Sequence, residues 1–143
     1  MVLVAPCYRN HKTRRYFGPP KPRPKLACPP LNRDLLDDAR TLYDIDNLIA
    51  SAMTARVAIE RELTILALSR PDFGEYWRGI YDTANWLQAQ GVIRKKTHGV
   101  VIRACETGNA AAHGGVVGRY EVQQMFVAVL ALRGAVARKV GAA

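Results

Sequence analysis

Proline is confined almost entirely to one end of this chain. Pro6, Pro19, Pro20, Pro22, Pro24, Pro29 and Pro30 fall within the first thirty of 143 residues, and only Pro71 lies beyond them. A proline in a helix interior removes a backbone donor and clashes with the preceding turn. The first thirty residues are therefore closed to helix and open to extended, polyproline-like backbone. From Leu31 onward the chain is free to form long helices, interrupted by proline once.

Charge divides at the same place. Residues 1–33 carry Arg9, Lys12, Arg14, Arg15, Lys21, Arg23, Lys25 and Arg33 without one acidic group, whereas residues 34–143 hold 13 basic against 12 acidic side chains. Eight of the nine net positive charges thus fall in residues 1–33, and the rest of the chain is nearly neutral. Tyr8, Tyr16 and Phe17 interleave with these cations, a composition suited to nucleic acid, with positive charge for phosphates and rings for bases. An arm that packs on another protein and a solvated leader are the other readings. We divide the chain into a basic proline-rich arm, 1–31, and a helical body, 32–143.

The body is long enough to bury a core of ordinary size without disulfides. Cys7, Cys28 and Cys105 make an odd count without framework spacing, which points to a reducing, cytoplasmic setting or the inside of a nucleoprotein particle. The apolar start, Met1 to Ala5, is too short for a signal-peptide core, and no run approaches the ~18 apolar residues of a membrane span, so no membrane partner is expected.

Helical periodicity fills the body. Asn32 is a candidate cap for a short helix over 32–43, with acidic residues in its first turns. Asp44 or Asp46 is placed to cap a long helix reaching residue 69, whose buried stripe is Leu48, Ile49, Ala52, Met53, Ile59, Leu63 and Leu66. Asp72 then caps a helix with the stripe Phe73, Tyr76, Trp77, Ile80, Ala84 and Leu87, stopped at Gly91. Trp77 and Trp86 read as core residues. A third main helix, 98–112, turns Val101, Ala104, Cys105, Gly108 and Ala111 or Ala112 inward, and a fourth, 119–140, buries Val122, Met125, Phe126, Val129, Leu132 and Val136. The expected fold is all-α, four main helices with a short leading helix and an extended basic arm.

Few residues are equipped for chemistry. Phosphate-binding glycine loops, dinucleotide fingerprints and HExxH or paired CxxC motifs are missing, so no cofactor is expected. Cys7, His11 and Cys28 offer three ligands where structural zinc takes four, so no metal is expected either. The informative stretch runs from Arg103 to Gly114. Arg103, Glu106, Asn109 and His113 recur at three- and four-residue steps and share one helix face opposite the apolar stripe. Histidine is the residue type suited to proton transfer at neutral pH, so His113 is the candidate general acid or base, with Asn109 to orient it or a phosphate. A helix end in which Asn109 and His113 satisfy carbonyls is the alternative.

The string Glu106-Thr107-Gly108-Asn109-Ala110-Ala111-Ala112-His113-Gly114, with Ala55-Arg56-Val57-Ala58-Ile59-Glu60 on the preceding long helix, resembles the HEPN superfamily. The likeness is to small helical domains with a Gly-Asn-x-Ala-x-His signature and extends over residues 44–140. It implies a four-helix HEPN-like bundle that often pairs as a homodimer around a composite cleft. Many such proteins are metal-independent ribonucleases of defence, toxin or RNA-processing systems, in which an arginine separated from the histidine by four to six residues acts on the scissile phosphate. Carried over, His113 and Asn109 match. Gly108 stands where four-residue spacing puts the arginine, and Arg103 is the nearest one upstream, with Arg56, Glu60 and Glu106 as cleft-lining candidates. Two functions are therefore expected. One is an RNA-binding protein, and an endoribonuclease if catalytic, whose arm captures RNA. The other is a non-catalytic subunit of a nucleoprotein assembly, with the arm on nucleic acid or a neighbour.

Overall fold

The computed structural model describes residues 22–141, together with the backbone of two short segments upstream. In those, Tyr8–Arg9 (β1) and Tyr16–Phe17 (β2) pair antiparallel, Tyr8 opposite Phe17. The body is all-α: α1 Leu35–Asp44, α2 Leu48–Leu68, α3 Ile80–Ala89, α4 Lys95–Ala112 and α5 Arg119–Gly141. α2 is central and packs on each of the other four helices. Its small residues Ala52, Ala55 and Ala58 let α1 and α5 approach closely, and Ile59, Leu63 and Leu66 meet Leu36, Met125, Val129 and Leu132 in the core. Where α1 and α2 touch, the buried Ser51 hydroxyl donates to the Ala39 carbonyl at 2.7 Å, so its burial leaves no unpaired donor.

Several boundaries differ from the sequence reading, each for a local reason. Asp34, not Asn32, caps α1, its carboxylate accepting from the Leu36 N–H at 2.8 Å. Asn47, rather than Asp44 or Asp46, caps α2. Asp46 instead takes the left-handed conformation, φ 62°, that reverses the chain between the two helices. Ile49 and Met53, assigned to the buried stripe of α2, are 42% and 46% exposed. The helix expected from Asp72 does not start there. Pro71–Phe73 forms one 3-10 turn, and Gly74 and Gly79 at φ 100° and 89° hold 74–79 extended until α3 begins at Ile80. Tyr76 is consequently exposed and Trp77 half-buried. α4 starts a turn earlier than expected, at Lys95, and Ala112 at its end faces solvent.

The extended segment 74–79 holds the end of the proline-rich stretch. Leu26 N–H donates to the Glu75 carbonyl at 2.7 Å and Trp77 N–H to the Pro24 carbonyl at 3.0 Å. Further on, an Arg61 guanidinium N–H donates to the Pro29 carbonyl. Residues 24–30, read from the sequence as arm, thus lie along α2.

Candidate functional site

α4 carries the motif, and its termination fixes where His113 sits. Gly114 at φ 76° is the left-handed stop, and Gly115 N–H returns to the Ala110 carbonyl at 2.7 Å, the long bond of a Schellman-type end. His113 is the C-terminal cap, with its backbone N–H shared between the Asn109 and Ala110 carbonyls. Its ring is exposed and has no hydrogen-bond partner among the described residues.

The four polar residues of the α4 face do not converge on one point. Arg103 and Glu106 line a groove against α5 with Thr107, Tyr120, Glu121 and Gln124. Asn109 turns to the other flank, where its Nδ2 donates to the hydroxyl of Tyr81 on α3 at 3.0 Å. Arg56 and Glu60 of α2 line a second groove, with Gly108 and Ala112 as its α4 wall. Three side chains proposed to act together, Arg103, Asn109 and His113, therefore occupy two flanks and one end of the same helix.

Tyr81 was not singled out by sequence, because the apolar period running through Phe73, Tyr76 and Ile80 put the start of the helix too early. With α3 beginning at Ile80, Tyr81 falls in its first turn beside α4. Burial raises its hydroxyl pKa above the ordinary value, the Cys105 thiol and Glu106 add to the rise, and the Arg56 charge and the Asn109 hydrogen bond oppose it. Cys105 lies beneath this cluster, 1% exposed, and burial pushes its thiol up to about 12 against the pull of Arg56. It stays protonated at neutral pH and is a core residue, not a nucleophile.

Of the arm cations, Arg23 and Lys25 are exposed beside the Pro24–Trp77 pairing. Lys12, Arg14, Arg15 and Lys21 lie outside the described residues, as do Cys7 and His11, and of Arg9 only the backbone in β1 is described. Among the described residues no group of three or more His, Cys, Asp or Glu is placed to hold a metal ion. No helix among the described residues is long and apolar enough to cross a membrane. Phe73 and Trp86 meet edge to face at 5.1 Å, and Arg70 and Arg78 both lie over the Trp86 ring, so this tryptophan is enclosed by packing partners. Comparison with known protein families, curated proteins and solved structures finds no match to the chain.

Proposed function

We propose that the chain is a HEPN-like RNA-binding protein. The observation that supports it best is which cations of the body are paired. Asp34, Asp37, Asp38, Asp46, Glu62 and Asp72 each pair with an arginine. Arg94, Lys95, Lys96 and Arg103, all exposed along α4 and its lead-in, form no ion pair among the described residues. Cations at a helix N-terminus oppose the helix dipole, so folding does not favour them there, whereas a polyanion does. The place of Gly108, Asn109 and His113 at the end of α4, between two long helices, supports the HEPN-like part of the reading. Binding is better supported than cleavage, since Tyr81 engages Asn109 while Arg103 faces the opposite groove.

The test is binding of labelled single-stranded RNA in EDTA across a range of salt. Replacing Arg94, Lys95 and Lys96 together by alanine is expected to flatten the slope of log affinity against log salt by about 0.7 per lost phosphate contact. A parent chain with no salt-dependent RNA binding would sink the proposal. The same samples, run on a denaturing gel, report cleavage; RNA shortened by the parent and spared by His113→Ala would mark a metal-independent endoribonuclease centred on His113. A second reading, a non-catalytic subunit of a nucleoprotein assembly, is favoured by the backbone pairing of Pro24 and Leu26 with the body, which fixes the last residues of the proline-rich stretch. It predicts an arm that confers association with a neighbouring protein and no cleavage.

A further inference from the structure

α2 and α4 meet across a glycine. A Cβ added to Gly108 would stand 2.8 Å from Cδ and 3.0 Å from Cβ of Arg56. Only a residue without a side chain leaves room, so the aliphatic stem of Arg56 lies flat on α4. Its Nε is buried there and has no hydrogen-bond partner. The side chain lines a groove of about 300 Å³ with Met53, Val57, Glu60 and Ala112. Glu60 shares the groove but forms no ion pair with Arg56, nor does any other described carboxylate. A partly buried guanidinium without an anion carries an unmet desolvation cost.

The next residue along α4 engages a hydroxyl on α3. Asn109 donates to the Tyr81 hydroxyl oxygen at 3.0 Å, which leaves the O–H of Tyr81 free to donate elsewhere. Arg56 and Tyr81 thus flank one turn of α4 from α2 and α3. We propose that this groove is an oxyanion site that takes one phosphate group, free or esterified, on the Arg56 guanidinium, and that Gly108 is the positioning residue. A planar guanidinium and a phosphate make paired, charge-assisted hydrogen bonds. The Arg56 charge already acts on Tyr81 and Cys105, opposing the rise that burial gives both. Glu60 and Glu106 are the carboxylates nearby and set an upper limit on affinity.

The experiment is a titration of the ¹⁵N-labelled full chain, following the Nε–H signal of Arg56, first with inorganic phosphate and then with the dinucleotide UpU. The expected result is a saturable shift of that signal, absent with chloride at equal ionic strength. Arg56→Gln, whose fold is checked by circular dichroism, should weaken binding about tenfold or more, read from the backbone signals of Asn109 and Ala112. Gly108→Ala should do the same while keeping the arginine. A response to phosphate alone identifies a free or terminal phosphate as the ligand, and a response to UpU an internal diester. If neither ligand moves the signal, or if binding survives Arg56→Gln unchanged, the site is overturned. RNA bound with Arg56 unmoved overturns the site and leaves the RNA-binding reading standing; phosphate bound in a chain that ignores RNA does the reverse.

Discussion

Arg133 and Asp34, 99 residues apart in the chain, share two hydrogen bonds, Nη2 to Oδ1 at 2.8 Å and Nη1 to Oδ2 at 3.0 Å. The same guanidinium donates through Nε to Glu62 at 2.8 Å. One side chain of α5 therefore fastens the cap of α1 and the middle of α2. Arg133→Ala leaves Glu62, 8% exposed, without a cation, and is expected to destabilise the fold by about 2 kcal/mol. Urea unfolding measures it, and a loss below about 0.5 kcal/mol would show that water replaces the guanidinium freely.

Acid should find the same junction. The Arg133 hydrogen bonds hold the Asp34 carboxyl at about 2, below its ordinary 3.8. A depressed carboxylate contributes stability in full above its unfolded pKa and loses it as pH falls toward the folded one. This contribution is thus present above about pH 4 and disappears between there and about pH 2. Because Asp34 is partly exposed, solvent screening makes the effect smaller than the shift alone suggests. Asp34→Asn retains a capping oxygen for Leu36 but not the charge, so its stability should vary less with pH across that window than the parent's.

The helix stop after His113 admits a direct check. Gly114 sits at φ 76°, where a side chain strains the backbone, although a Cβ there meets nothing within 4 Å. Gly114→Ala is expected to cost about 1 kcal/mol by conformation alone. An unchanged melting temperature would mean that α4 ends another way without penalty.

Cys105 should be chemically silent. Its thiol is buried and pushed up to about 12, whereas Cys28 is only half-buried. Timed alkylation with iodoacetamide at pH 8, read by peptide mass, is expected to label Cys28 in the native protein and Cys105 only after unfolding. Comparable rates at the two cysteines would place Cys105 in an open cleft instead.

The residues legible in the sequence are those whose burial follows from the period of their own helix. Val122, Met125, Val129 and Leu132 follow the period of α5 and are buried. The start of α3 was hidden because the apolar spacing of Phe73, Tyr76 and Ile80 continues through Gly74 and Gly79, whose positive φ angles break the helix that the spacing suggests. At the candidate site, periodicity groups Arg103, Glu106, Asn109 and His113 on one face of α4, whereas the structure turns Arg103 and Glu106 to the α5 groove, Asn109 to Tyr81 and His113 to the helix end. Periodicity says nothing about which neighbour each one meets. Tyr81 lies 28 residues from Asn109, and its approach depends on how α3 docks on α4. The seat of Arg56 on Gly108 likewise depends on the register of α2 against α4, a property of tertiary packing with no local signature.

That seat ties two positions into a single unit of inheritance. A lineage that gains any side chain at 108 must first shorten or redirect residue 56, and one that loses the arginine frees 108 to drift. Aligned relatives of this chain should therefore show glycine at 108 wherever they keep arginine at 56, and the two should be lost together.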